Sequence, residues 1–123
     1  MSRNQRKQMA EETLRIIEQG CYTNPAGVRV GLADAVDRSV EGTHLYTPGE
    51  LEALIGRAEM KGGRSTVFEV VNETTLSACR RLVVDRGFND VLALNFASAK
   101  NAGGGFLGGS QAQEESLARS SAL

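Results

Sequence analysis

The chain is poor in the residues that build metal centres and cross-links. Its 123 residues include two cysteines, one histidine and no tryptophan. Cys21 and Cys79 stand far apart, and His44 cannot complete a ligand cluster with them, so a zinc site is not expected. Excess charge is also absent. Fourteen Lys and Arg face fifteen Asp and Glu, for a net charge of −1. Broad attraction to a nucleic-acid backbone needs a basic face, so no DNA binding is expected. No apolar run approaches membrane length. The start, Met1-Ser2-Arg3-Asn4-Gln5-Arg6-Lys7, is polar and leads into an amphipathic pattern, unlike a signal peptide. A reduced, cytoplasmic compartment fits best, although two cysteines are enough to pair. The length allows one domain at most.

What the chain does have is glycine, concentrated near its end. Gly103, Gly104, Gly105, Gly108 and Gly109 are five of fourteen glycines, within seven residues. The apolar run Asp90-Val91-Leu92-Ala93-Leu94-Asn95-Phe96 leads into them, and Gln113-Glu114-Glu115 opens a helix after them. Glycine has no Cβ, so its backbone N–H groups can come close to a ligand and its φ can be positive. Successive N–H groups before a helix can hold an anion. The loop is not a P-loop, because no Gly-Lys-Ser/Thr closes it. Nor does any register give G-x-G-x-x-G. The competing reading is a flexible linker before a solvated helix. Acidic residues in a first helical turn also favour the helix dipole, but that does not account for Gln111, Gln113 and the glycines together.

Upstream, the spacing predicts a helix over 5–19 ended by Gly20 and a turn over 22–27. It predicts a short strand over 28–32, a brief helix over 33–40 and a short strand over 44–46. Thr47, Pro48 and Glu50 form a capping-box start for a helix that Gly62 and Gly63 would close. A strand over 66–72, a helix over 74–85 ended by Gly87, and a strand over 90–96 buried on both faces follow. A helix from about residue 111 comes last. Strands alternating with helices indicate an α/β fold. The final residues carry no stop signal. The expectation is a last helix cut short, in the N-terminal part of a larger domain.

Gly103, Gly104 and Gly105, then seven residues, then Gln113, Glu114 and Glu115 match the GGG-x(6–8)-QEE signature of poly(ADP-ribose) glycohydrolases. The flanks, residues 95–101 and 116–121, resemble the bacterial, microbial-type branch. The tight match covers about the last quarter of the chain. The resemblance implies a macrodomain-like three-layer α/β/α fold, with residues 1–62 as an N-terminal helical extension. Residues 63–123 would then be the first part of the catalytic domain, its C-terminal part absent. It implies hydrolysis of the ribose–ribose bond of poly(ADP-ribose), without metal or other cofactor, by a cytoplasmic monomer acting on poly(ADP-ribosyl)ated proteins. Carried onto this chain, Glu115 is the catalytic glutamate, and Glu114 its neighbour on the ribose hydroxyls. Gly103, Gly104 and Gly105 approach the terminal ribose and diphosphate. Asn95, Phe106 and Gln113 join them in substrate binding. For Phe106 the residues themselves leave packing and ribose contact both open. His44 reads as a surface residue, Cys79 as core and Lys100 as a solvated lysine.

Adjacent helical residues point about 100° apart. Glu114 and Glu115 therefore cannot act together as a paired acid and nucleophile on one bond. One acid is left: Glu115 would protonate the leaving ribose oxygen, then activate water as a carboxylate. That role calls for a raised pKa, with burial as its expected cause. Two other readings compete: a macrodomain-like module that binds ADP-ribose without hydrolysing it, and an inactive fragment of the enzyme. Glu115→Gln is expected to abolish most turnover, a loss of about 10²-fold or more, while ADP-ribose still binds. Turnover and calorimetric binding measured on one preparation check both halves.

Overall fold

The first helix is built on a capping box. In this computed structural model, which describes residues 1–58 and 65–122, α1 spans Arg3–Gln19. Ser2 Oγ accepts from Gln5 N–H at 3.3 Å, and Gln5 Oε1 accepts from Ser2 N–H at 2.7 Å. The box starts the helix two residues before the expected residue 5. At the other end Gly20 adopts φ 63° and donates to the Ile17 carbonyl at 3.1 Å. Its own carbonyl accepts from Leu32 N–H at 2.7 Å and Ala33 N–H at 3.0 Å. A Cβ at Gly20 would lie 2.9 Å from the Ala33 Cβ. The left-handed turn and the close approach both require glycine there.

Gly20 thus pins a hairpin. Strand β1 (Cys21–Thr23) pairs antiparallel with β2 (Arg29–Gly31), with Tyr22 opposite Val30. The expected turn over 22–27 and strand over 28–32 fold together as this hairpin, and β1 replaces the start of the turn. Asn24 Oδ1 accepts from the N–H groups of Ala26 and Val28, both at 3.0 Å, and Gly27 takes φ 78°. Helix α2 (Ala33–Glu41) follows. The expected strand over 44–46 is irregular chain. Next comes α3 (Pro48–Arg57), with the predicted capping box: Thr47 N–H donates to Glu50 Oε2 at 2.7 Å. That bond holds the Glu50 carboxyl below its ordinary pKa. The expected closure at Gly62 and Gly63 lies outside the described residues.

The helix expected over 74–85 forms as α4 (Thr75–Arg80), continued by a π-helical turn (Arg81–Asp85) with Gly87 at φ 69° after it. Ion pairs tie the chain before α4 to this turn. Arg81 pairs with Glu73, and Arg86 Nη2 lies 3.2 Å from Glu69 Oε1. The two predicted strands over 66–72 and 90–96 do not pair. Among the described residues the one sheet is β1 with β2, so the protein is a small α/β fold of helices with a two-stranded sheet. The run over 90–96 is not buried on both faces: Leu92 is 97% and Phe96 73% exposed. The correction has a simple cause. Period and β-propensity describe what a strand needs from neighbours, and no neighbouring strand reaches either run among the described residues.

The last elements are a 3₁₀ turn (Phe106–Gly108) and α5 (Gln113–Ala118). Helix α5 ends at Arg119, whose N–H donates to the Glu115 carbonyl at 3.1 Å, so the expected cut helix is instead a helix capped within the chain. Among the described residues the buried side chains are Ala10, Leu117, Ala118, Glu114 and Arg119. The best-buried part of the molecule is therefore where α1 and α5 meet the glycine loop.

Gly20→Ala is expected to destabilise the chain by about 1–2 kcal/mol from the left-handed φ alone, with the Ala33 contact added. Gly20→Ala with Ala33→Gly should recover the contact part only. Urea unfolding followed by circular dichroism measures both.

Candidate active site

The glycine loop is shaped by its own peptide bonds before any carboxylate is considered. Ser98 Oγ accepts from Lys100 N–H at 3.3 Å and Asn101 N–H at 3.2 Å. Gly104 N–H donates to the Asn101 carbonyl at 2.9 Å. Gly103 and Gly104 then take φ 75° and 58°. Two successive left-handed residues make a sharp turn that glycine takes readily. A Cβ at Gly104 would sit 2.5 Å from Glu115 Oε1 and 3.0 Å from Glu114 Oε2. The missing side chain is what lets the carboxylates in.

Glu114 is 6% exposed and fully engaged. Its Oε1 accepts from Gly103 N–H at 2.9 Å and its Oε2 from Ser98 N–H at 2.7 Å. Glu115 Oε1 accepts from Gly105 N–H at 3.1 Å, while its Oε2 is buried with no hydrogen-bond partner. The two carboxylates take different amides, as their helical directions require. They nonetheless lie on either side of one glycine, Gly104, closer together than a 100° divergence alone suggests. One carboxylate is used up as a brace, and the other keeps one oxygen without a partner.

The expected rise in the Glu115 pKa is not found. The Gly105 N–H bond, foremost, holds the carboxyl below its ordinary value, helped by backbone N–H groups of its own helical turn. Burial pushes the other way and does not prevail. N–H groups aimed at a carboxylate favour its charged form, and here they outweigh desolvation.

The remaining predicted residues divide. Asn95, Gly103, Phe106 and Glu114 line one cavity of about 480 Å³, with Ser98 and Lys100. Asn95 Oδ1 is buried and has no partner. The Phe106 ring packs on Gly103, where a Cβ would be 2.9 Å from Cδ1. Gln113 stands apart from this cavity. Its Oε1 accepts from Phe96 N–H at 2.8 Å, and its Nε2 donates to the Leu94 carbonyl at 2.9 Å and to Thr75 Oγ1 at 3.1 Å. The amide is occupied by protein and latches the incoming chain to α4 and α5. His44 lies at the surface against Tyr46, with ring centroids 4.3 Å apart. Both cysteines are free and half-buried. Among the described residues no three His, Cys, Asp or Glu side chains stand close enough to hold a metal ion.

Sequence reasoning missed Ser98, Thr75, Arg3, Arg6 and Arg119. Arg3 Nε donates to the Gly108 carbonyl at 2.8 Å, Arg6 Nε to the Gly109 carbonyl at 2.7 Å, and Arg119 Nη1 to the Ser110 carbonyl at 2.6 Å. Arg119 is 3% exposed, and desolvation, then Arg6, lower its pKa from the ordinary arginine value. A signal existed for the α1 pair. Residues 3, 6, 10, 13 and 17 recur at 3- and 4-residue spacing, so the arginines extend the face that carries Ala10, Thr13 and Ile17.

The arrangement has counterparts among known proteins. Residues 10–123 match the family model described as the microbial-type PARG catalytic domain. Among solved structures, the poly(ADP-ribose) glycohydrolase of Thermomonospora curvata is 49% identical, with a TM-score of 0.87 over 98% of this chain and 44% of that one. The same enzyme bound to the inhibitor ADP-HPD is 48% identical, with a TM-score of 0.84 over 98% of this chain and 42% of that one. The chain thus spans about two-fifths of the length of these solved structures. No curated protein matches it. With the family model covering nearly the whole chain, the protein belongs to the microbial-type PARG catalytic-domain family.

Proposed function

We propose that this protein contributes the catalytic loop of a poly(ADP-ribose) glycohydrolase, which hydrolyses the ribose–ribose bond and releases ADP-ribose. The observation that carries the reading is the unequal carboxylate pair. Glu114 is saturated by the Gly103 and Ser98 N–H groups, and Glu115 keeps Oε2 without a partner. Glu114 is then a rigid floor for the ribose, and Glu115 the group that moves a proton. Asn95, Gly103 and Phe106 line the cavity beside Glu114. Gln113 acts indirectly, by fixing where residues 94–96 enter the loop. We extend the proposal to a macrodomain-like three-layer frame, in which the exposed runs over 66–72 and 90–96 serve as sheet strands. Residues 1–62 are its N-terminal extension, and a cytoplasmic monomer acting on poly(ADP-ribosyl)ated proteins is the matching biological form.

Mechanistically, the leaving ribose oxygen takes the Glu115 proton as an oxocarbenium-like centre forms on the terminal ribose. The substrate diphosphate offsets that positive charge. Glu115, now ionised, draws a proton from water, which attacks the same carbon. General acid–base help of this kind contributes typically about 10²–10⁴-fold. The depressed pKa of the free protein fixes what the substrate must do. A like charge brought close raises a carboxyl pKa, and the diphosphate supplies two. Protonation of Glu115 thus follows substrate binding rather than preceding it.

One observation favours a second reading, in which the site binds ADP-ribose without cleaving it. A Glu115 held ionised by Gly105 N–H is a good acceptor for ribose hydroxyls and a poor acid. Release of ADP-ribose from polymer, unchanged by a chelator, is expected for the hydrolase. Binding of ADP-ribose with no release supports the reader instead. In an NMR titration of the free chain, Glu115 is expected to titrate below the ordinary glutamate value of about 4.3, and to rise when ADP-ribose is added. A depressed carboxyl contributes stability above its unfolded pKa and loses it as pH falls through the folded value. Any stability deficit of Glu115→Gln should therefore be present at pH 7 and vanish in acid, as thermal melts across pH will read.

A further inference from the structure

The carbonyls of Gly108, Gly109 and Ser110 are three consecutive peptide oxygens, and each accepts from a different guanidinium: Arg3, Arg6 and Arg119 in that order. The N–H side of the same loop faces the carboxylates, through Gly103 to Glu114 and Gly105 to Glu115. The loop is therefore held by cations on its carbonyl face and by anions on its amide face. A short relay joins the two. The Gly105 carbonyl accepts from Gly108 N–H at 3.0 Å and Ser110 N–H at 3.1 Å. The Gly105 carbonyl and the Gly105 N–H belong to neighbouring peptide units that share the Gly105 Cα, so a shift of residues 108–110 acts on the N–H at Glu115 through the φ and ψ of that one residue.

The helix is seated directly on the loop. A Cβ at Gly109, whose φ is 74°, would lie 2.5 Å from the Arg3 carbonyl oxygen and 3.1 Å from the Lys7 Cγ. Thr13 Oγ1 donates to the Arg119 carbonyl at 2.5 Å, which fixes the end of α5, one turn past Glu115, to the same face of α1. Hydrogen bonds to charged donors are the stronger ones, and three on successive carbonyls exceed what closing an exposed turn requires.

We propose that α1 is a splint for the catalytic loop, with Arg3 and Arg6 as positioning residues that hold the Gly105 N–H on Glu115. The inference rests on the reading of Glu115 as the working carboxyl. Neither arginine lines the cavity bounded by Asn95 and Phe106, so their hydrogen bonds reach the site through the loop, and the charge of Arg6 bears on Glu115 by way of Arg119.

The test is an NMR titration of the Glu115 side chain in the 123-residue protein, with ADP-ribose release measured on the same samples. Arg6→Met keeps most of the aliphatic stem and removes the donors. It is expected to move the Glu115 pKa up towards the ordinary value and to lower kcat about 10–10²-fold, as a small misplacement near the chemistry does. KM should change less than threefold. Arg6→Lys, which retains a donor, should recover part of both. A folded Arg6→Met protein whose Glu115 titrates as in the wild type overturns the proposal, whatever stability it has lost. Should Arg6→Met not fold, Arg3→Met carries the same test, since Arg3 is exposed and buries little. The titration does not depend on turnover. If Glu115→Gln keeps full turnover, the hydrolase reading fails, while the titration still decides the splint.

Discussion

A carboxylate placed against backbone N–H groups is the interaction on which the rest of this structure depends. Glu114 spans from Gly103 to Ser98, joining the loop to the chain that enters it. Both carboxylates can reach only because Gly104 has no side chain and a left-handed φ. Such bonds are charge-assisted, and a buried carboxylate without them would be costly. The buried side chains sit beside this contact rather than in a separate apolar centre, so the site and the best-packed region are one place.

The same interaction sets the chemical problem. N–H groups that fix a glutamate also keep it ionised, which is the wrong state for the acid role proposed for Glu115. On that reading, positioning and protonation pull in opposite directions there. The structure divides the conflict between its oxygens, with Oε1 tied to Gly105 and Oε2 left bare. Geometry is thus built into the protein, and on the proposed mechanism the proton depends on what binds.

Features written in a few adjacent residues were legible in the sequence. The Thr47 and Glu50 capping box, the Gly20 and Gly87 stops and the order of the helices needed only local chemistry. The glycine and glutamate spacing picked out the candidate site for the same reason. The runs over 66–72 and 90–96 were expected as strands and are irregular chain among the described residues, because a strand needs a partner segment and a pattern shows only one. The raised Glu115 pKa was expected from the acid role, with burial as its cause and without the direction of the Gly105 peptide. Arg6 and Arg119 were missed because an arginine on an amphipathic helix looks solvated until the loop it meets is known. Gln113 was expected to bind substrate, and its protein partners Phe96 and Leu94, 17 and 19 residues away in the chain, were not foreseen.

That latch restricts residue 113 in an unusual way. A primary amide can accept from one peptide N–H and donate to the carbonyl two residues away at the same time. Glutamate has the same shape and volume, yet an ionised carboxylate has only acceptors and would face the Leu94 oxygen with a second oxygen. Position 113 is therefore constrained by hydrogen-bond polarity and not by size. An isosteric exchange of nitrogen for oxygen, such as slow deamidation during storage would produce, unfastens the entrance to the loop without leaving a cavity or a clash.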